Sequence, residues 1–178
     1  GYIFLALFAA CIPIANYLIQ NVGTFCVPET GPCLIPVAPD ITAPSGVLMV
    51  GIGLVLRDLV QRRLGVIWAV TAIVFGAILS ASFATPNLVV ASAVAFLLSE
   101  VADLLVFTPL QKKGLVLAAV VSSVVGLIVD SILFLLLAFG SLEFIEGQIL
   151  GKAWMVLLAI PILIIVRNRD NKIGFTTA

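Results

Sequence analysis

Six long, continuous apolar runs constrain the fold of this chain more than any other feature of its sequence. They cover residues 2–19, 46–64, 66–84, 87–110, 115–139 and 149–166. A helix needs about 20 residues to cross the roughly 30 Å hydrocarbon core of a bilayer. Only helices and closed barrels satisfy their backbone polar groups in lipid, and these runs do not alternate as barrel strands do. The runs therefore predict an all-α membrane protein, with residues 1–178 forming a single domain of six transmembrane helices.

The cations at the ends of these runs and between them predict the orientation of the chain. They follow every second run, as Arg62, Arg63, Lys112, Lys113, Arg167, Arg169 and Lys172. The connections 21–44 and 85–86 contain no Lys or Arg. Because short cationic connections stay in the cytoplasm, both termini are predicted to be cytoplasmic. The expected location is the cytoplasmic membrane of the cell, crossed several times, with the lipid bilayer as the surrounding partner.

Composition excludes several classes of function. Hydrophobic residues make up 62% of the chain and charged residues 10%, against 45–50% and about 25% in soluble domains. The chain contains no histidine and has zero net charge. Histidine-based catalysis and histidine metal sites are therefore excluded, and there is no basic field to attract nucleic acid. Since no nucleotide-binding or catalytic motif is present either, we predict no enzyme activity, no metal and no cofactor.

The connection 21–44 is the longest, and it contains five prolines and two glycines. Such a composition excludes a helix and predicts a compact outer loop that folds back onto the bundle. This loop is interpreted either as a lid over an outward-facing cavity or as a simple connector. Cys26 and Cys33 within it either form a disulfide or remain free thiols. Cys11, in the first run, is expected to be a small buried hydrophobe.

Five charged side chains lie deep within the apolar runs, more than five residues from either end: Arg57, Asp58, Glu100, Asp103 and Asp130. Each costs about 2.5–3.5 kcal/mol near the centre of a membrane helix, so each suggests a function. Glu100 and Asp103 are three residues apart and share a helix face. Glu100 lies twelve residues before Lys112, roughly 18 Å along a helix and near the membrane midplane.

These four acids and one arginine leave an excess of three negative charges away from the ends of the runs. Asp58 is expected to pair with Arg62 near the interface, and Arg57 with Glu100 or Asp103. Because lone buried anions are costly, at least one carboxyl group is then protonated or satisfied by ligand donors. Asp130 either forms a packing hydrogen bond with a serine or contributes to a ligand site.

These polar residues and two nearby rings form the candidate site. Phe96 is four residues before Glu100, and Phe134 is four residues after Asp130. A flat ligand held by the acids would stack on these two rings. In the alternative interpretation, the rings only pack against lipid or the protein core. The predicted substrate-binding residues are Asn16, Arg57, Phe96, Ser99, Glu100, Asp103, Ser123, Asp130 and Phe134. A bundle with convergent carboxyl groups and an outward cavity is typical of a solute carrier.

Several segments resemble the vitamin uptake transporter family. The most specific are AFLLSEVADLLVFTPL at 95–110 and SSVVGLIVDSILFLLLAFG at 122–140, followed by ANYL at 15–18, LRDLVQ at 56–61 and GKAW at 151–154. The resemblance implies six membrane helices in an arrangement similar to the substrate-binding components of energy-coupling-factor importers. It also implies import of a queuosine precursor, chiefly 7-cyano-7-deazaguanine.

The chemistry of such a purine-like base fits the residues. It presents a ring N–H beside an amino group, and one carboxylate can accept both. Glu100 and Asp130 are the best acceptor candidates, and Asn16, Arg57 or a serine would donate to the ring carbonyl. The alternatives left open are a substrate-binding subunit that needs a separate energising module, and a proton or ion pathway. A homo-oligomer also remains open.

Overall fold

The computed structural model describes residues 1–27 and 31–174, and it is mostly helical. Residues 28–30 of the predicted outer loop and residues 175–178 lie outside the described residues. The elements in chain order are α1 (Tyr2–Asn21), β1 (Phe25–Cys26), β2 (Cys33–Ala38), β3 (Ile41–Pro44), α2 (Val47–Leu64), α3 (Val66–Phe83), a short 3-10 helix (Pro86–Leu88), α4 (Val89–Leu110), α5 (Leu115–Phe139) and α6 (Ile145–Lys172). The helices follow the six apolar runs, but α6 extends beyond the predicted run at both ends.

Five described helices, α1 and α3 to α6, are long and apolar enough to cross a membrane. Only 22–39% of the most apolar 18-residue window of each is buried inside the protein, so these helices present wide apolar surfaces outward. A soluble protein rarely exposes such surfaces, and they support a multi-pass membrane protein. The prediction of a sixth span is not confirmed, because α2 is 18 residues long and contains Arg57, Asp58, Arg62 and Arg63.

Helix α2 lies at the centre of the bundle and contacts each of the other five helices. More than half of its residues are buried, and these include both Arg57 and Asp58. Glycines allow its close approach to two neighbours. A Cβ atom at Gly51 would lie 2.7 Å from the Lys152 carbonyl oxygen of α6, and one at Gly126 of α5 would lie 2.9 Å from Leu54 Cδ2. Small residues at such crossings let helix backbones pack tightly in membranes.

The connection between α1 and α2 forms a small antiparallel sheet in the order β1-β2-β3. Cys26 lies opposite Cys33 in the β1–β2 register, and the two form a disulfide. The sequence excluded a helix here and predicted a compact loop, but it did not predict the strands. Proline cannot donate to a strand ladder, so within sheets it is confined to edges, ends and irregularities. The structure places Pro36 at a register irregularity and Pro44 at the end of β3, where a missing N–H is tolerated.

The sheet packs on the end of the bundle where α1 ends and α2 begins. The indole Nε1 of Trp154 donates a hydrogen bond to the Val37 carbonyl oxygen at 3.1 Å. Thr42 of β3 lies directly against Gly147 near the start of α6. The sheet is therefore anchored to α6 by a side chain and by a close backbone contact.

The opposite end of the bundle is held by a buried carboxylate on α6. Asp170 accepts a hydrogen bond from Arg62 Nε at 2.9 Å and also pairs with Arg63. The prediction that Arg62 pairs with Asp58 is wrong. Asp58 lies one helical turn further into the bundle, where it binds Arg57 and Ser122 instead.

We predict that Asp170→Asn weakens the junction between α2 and α6. The change removes the buried carboxylate charge that pairs with Arg62 and Arg63. Hydrogen bonds to charged groups contribute about 1.5–3 kcal/mol each. The apparent melting temperature of the purified protein in detergent should fall by several degrees. Arg169→Gln, at an exposed neighbouring position, is the control, and an equal fall in both variants would contradict the role of Asp170.

Candidate functional site

The main cavity opens at the end of the bundle that bears the sheet. The space between its lining residues is about 800 Å³ when the open solvent at its mouth is counted. Its apolar wall consists mainly of residues from α1 and α2, including Phe8, Ile12, Val47 and Leu54. The polar groups that reach it are Asn16, Ser80, Ser92, Ser99, Glu100, Asp130 and Gln148.

Two carboxyl groups, Glu100 of α4 and Asp130 of α5, give the cavity its charge. Among residues 1–27 and 31–174, no Lys or Arg lines it. Each carboxyl group is nevertheless bound by a cation that lies outside the lining: Arg57 binds Glu100, and Lys152 binds Asp130. The cavity therefore presents acceptors to a ligand, while the compensating positive charges lie farther inside the protein.

Arg57 is fully buried and binds three carboxyl groups. Its Nε lies 3.1 Å from Glu100 Oε2, its Nη1 2.9 Å from Asp58 Oδ1 and its Nη2 2.5 Å from Asp103 Oδ1. The planar guanidinium carries five N–H donors in a fixed fork, which allows one side chain to bind several acids. The prediction that Arg57 pairs with Glu100 or Asp103 is confirmed for both.

The Arg57 cluster continues toward the end of the bundle that carries Asp170. Arg57 Nη1 donates to Gln61 Oε1 at 3.1 Å, and Gln61 Nε2 donates to Thr108 Oγ1 at 2.9 Å. On its other side the Ser122 hydroxyl donates to Asp58 Oδ2 at 3.0 Å. These bonds and the ion pairs of Arg57 tie α2 to α4 and α5, and Glu100 is the member of the cluster that lines the cavity.

Lys152 is the charged residue that the sequence analysis missed. It is 1% exposed, and its Nζ lies 2.6 Å from Asp130 Oδ2 and 2.8 Å from Ser131 Oγ. The predicted run began at residue 149, which placed Lys152 beside the outer loop. Because α6 begins at Ile145, Lys152 instead lies two turns inside a helix. A lone cation within the otherwise apolar segment ILGKAWMVLLAI was the signal for a buried pair.

The predicted site residues divide into two groups. The cavity is lined by six of them: Asn16, Phe96, Ser99, Glu100, Asp130 and Phe134. Arg57, Asp103 and Ser123 are buried outside its lining, because their helix faces point toward the α2–α4–α5 contact. Gln148 of α6, which the sequence analysis did not select, also lines the cavity.

Three of the predicted residues that line the cavity already make contacts within the protein. Asn16 Nδ2 donates to the Ile12 carbonyl at 3.0 Å, which uses one of its two amide hydrogens. The Ser99 hydroxyl donates to the Phe96 carbonyl at 3.0 Å. The Phe96 ring lies 6.0 Å from the ring of Phe8. A flat ligand would therefore enter an aromatic corner that is already partly filled.

The described residues contain no group of three or more acids, cysteines and histidines arranged to hold a metal ion. The three acids that do converge, Asp58, Glu100 and Asp103, share Arg57 as their cation. Their oxygens therefore face a guanidinium rather than an open coordination site.

Comparison with known families gives one match. Residues 80–166 match the family model described as Putative vitamin uptake transporter. The matched segment is just under half of the 178 residues and includes Glu100, Asp130 and Lys152. It therefore contains both acids of the cavity and one of their two cations. No match was found among curated proteins or among solved structures.

We predict that Arg57→Gln prevents accumulation of folded protein. The change leaves three buried carboxyl groups without their cation, and breaking a buried ion pair from one side costs about 3–5 kcal/mol. Arg57→Lys should be intermediate, because a single ammonium cannot reproduce the guanidinium fork. Fluorescence-detected size exclusion measures the folded fraction, with the exposed Arg167→Gln as control. Normal yield and melting temperature for Arg57→Gln would show that the cluster does not depend on Arg57.

Proposed function

We propose that this protein is a membrane importer of a purine-like queuosine precursor, such as 7-cyano-7-deazaguanine. The observation that carries the proposal is the cavity lined by Glu100 and Asp130 and by no described cation. The family match over residues 80–166 suggests a vitamin uptake transporter, and the two cavity acids narrow the class of solute. We also propose that the protein crosses the cytoplasmic membrane several times, either as a monomer or as a homo-oligomer.

The chemistry of the cavity favours a neutral ring with adjacent donors. Two carboxyl groups repel an anionic solute, whereas each can accept an N–H and an amino group side by side. The second amide hydrogen of Asn16, or a hydroxyl group of Ser80 or Ser92, would donate to a ring carbonyl. Phe96 and Phe134 would provide ring contacts. Arg57, which the sequence analysis considered as a direct donor, would act through Glu100.

We also propose that α2 is the sixth span. An even number of spans would put both termini on the same side of the membrane, and the cationic connections predict that this side is the cytoplasm. Its 18 residues extend about 27 Å, close to the hydrocarbon thickness. Arg57 and Asp58 lie in the bundle interior, and Arg62 and Arg63 are at the end of the helix, where they bind Asp170. Its charges would thus avoid lipid, and a low hydropathy is compatible with a span surrounded by five other helices.

The Arg57 cluster argues against a proton or ion pathway. A fixed positive charge in the middle of a polar column is an electrostatic barrier to cations and protons. Arg57 lies between Glu100 and Gln61 in that column. A saturable solute site is therefore favoured over a conducting pore.

Uptake into liposomes that contain only this protein tests the proposal. We expect saturable accumulation of radiolabelled 7-cyano-7-deazaguanine, with competition by guanine-like bases and none by carboxylated vitamins. Saturable binding without accumulation would identify a substrate-binding subunit that needs an energising module. Absence of both binding and uptake would contradict the proposed substrate.

We predict that Glu100→Gln weakens binding of 7-cyano-7-deazaguanine. The amide still accepts from Arg57, so the fold is retained, but a donor replaces one acceptor oxygen. Loss of a buried charged partner costs about 2–4 kcal/mol, which is roughly 30- to 1,000-fold in Kd. Isothermal titration of the purified protein measures the change.

Asp103→Asn is the matched control for this experiment. Asp103 binds the same arginine from the same helix but does not line the cavity. Its substitution should therefore affect Kd much less than Glu100→Gln does. Equal losses for the two variants would mean that Glu100 acts through the Arg57 cluster rather than on the solute.

We further predict that solute binding releases a proton. The four interior acids and the two interior bases, Arg57 and Lys152, leave an excess of two negative charges. At least one carboxyl group should then carry a proton when the cavity is empty, and solute donors would replace it. Affinity should consequently fall as the pH is lowered. Calorimetry in two buffers of different ionisation enthalpy gives the proton count, and a count of zero between pH 5 and 8 would exclude this coupling.

A further inference from the structure

The Asp130–Lys152 pair is asymmetric with respect to the cavity. Asp130 lines the cavity and its side chain is 11% exposed, whereas the Lys152 side chain is 1% exposed and is not part of the lining. Lysine side chains usually extend their ammonium toward water or the interface. Lys152 instead directs its ammonium into the contact between α5 and α6, with the anion between it and the cavity.

The ammonium of Lys152 is fixed by two oxygens of α5. Its Nζ donates to Asp130 Oδ2 at 2.6 Å and to Ser131 Oγ at 2.8 Å. Ser131 can accept this bond because its own hydroxyl hydrogen is donated to the Leu127 carbonyl at 2.6 Å. The ammonium thus binds one carboxylate oxygen of Asp130, and no described cation binds the other, while the residue itself lines the cavity.

The packing around α6 keeps Lys152 in this position. Gly51 of α2 lies against the Lys152 backbone, and Gly151 lies against Val47. These close contacts leave little room for the lysine side chain to turn toward α2. The other ionisable group of the cavity, Glu100 on α4, is bound by Arg57 and so does not compete for the ammonium.

We propose that Lys152 is a positioning residue for solute binding: it pairs with the carboxylate of Asp130 and orients it, so that the carboxylate accepts a hydrogen bond from a ring N–H or amino group in the cavity. Lys152 itself does not touch the solute. The inference rests on the proposed function of the cavity, and it adds Asp130 to Glu100 as a second acceptor held by its own cation. It predicts a preference for solutes that bear donors at two separate edges.

Carbodiimide labelling tests the role of Lys152 without any solute. Dicyclohexylcarbodiimide reacts with protonated carboxyl groups in apolar surroundings, and peptide mapping by mass spectrometry locates the modified residue. We expect Asp130 to be unreactive in the wild type and in Lys152→Arg, and to be modified in Lys152→Met. Equal modification of Asp130 in the wild type and in Lys152→Met would overturn the proposal.

Two further variants keep the test decisive if Lys152→Met does not fold. Ser131→Ala removes only the second acceptor of the ammonium, and Asp130 should then be modified more than in the wild type. The double variant Asp130→Asn/Lys152→Met has no buried charge at this position and should fold. Wild-type labelling of Asp130 in Ser131→Ala, in a folded preparation, would count against the proposal.

Binding of 7-cyano-7-deazaguanine separates this inference from the proposed function. If the wild type binds it, Lys152→Met and the double variant should each raise Kd by about tenfold or more, while Lys152→Arg retains binding. Wild-type affinity in the folded double variant would show that the pair is only structural. If the wild type binds none of the base, the proposed function fails, and the labelling result still decides the role of Lys152.

Discussion

Buried charges in a low-dielectric bundle must be compensated locally, and this requirement organises the protein. Three carboxyl groups converge on the guanidinium of Arg57, and a fourth binds Lys152. Each ion pair is formed between different helices, apart from the contact of Arg57 with its neighbour Asp58. The pairs therefore fix how α2, α4, α5 and α6 are positioned relative to one another, because a misplaced helix would leave a charge unpaired.

The same ion pairs explain why the outer surface of the bundle is apolar while its interior contains charged groups. Helices α1 and α3 to α6 expose apolar side chains outward, while the charges of α2 are surrounded by other helices. Glu100 of α4 and Asp130 of α5 differ from the charges of α2, because both reach the cavity while their cations remain outside its lining. A ligand that enters meets acceptors in an otherwise apolar pocket. Specificity would follow from hydrogen-bond donors rather than from net charge.

Periodicity and charge predicted much of the fold, for reasons that particular residues show. The apolar runs predicted the six helices because membrane helices must be long and continuous. The spacing of Glu100 and Asp103 predicted their shared face, and the cost of lone buried anions predicted that Arg57 pairs with one of them. The three-stranded sheet between α1 and α2 was not predicted. Val37 and Thr42 contact α6 more than 100 residues along the chain, and a local sequence pattern does not contain such contacts. Strand pairing at prolines depends on tertiary context.

The candidate site was predicted less completely than the fold. Six of its residues line the cavity, but sequence position alone could not separate Glu100, which reaches it, from Asp103, one turn away, which does not. Lys152 was missed because the start of α6 was set four residues too late, which placed a buried ammonium in the first turn of the helix, beside the outer loop. Gln148 was missed for the same reason. Helix boundaries near a cavity therefore affect function assignment more than they affect fold assignment.

The most direct test of the account is a structure of the protein in lipid nanodiscs with 7-cyano-7-deazaguanine. The account predicts density for the base in the cavity, with its amino edge against Glu100, an N–H directed to Asp130, and Arg57 and Lys152 outside contact distance. An empty cavity at saturating concentration, or density that binds Arg57 or Lys152 directly, would contradict it.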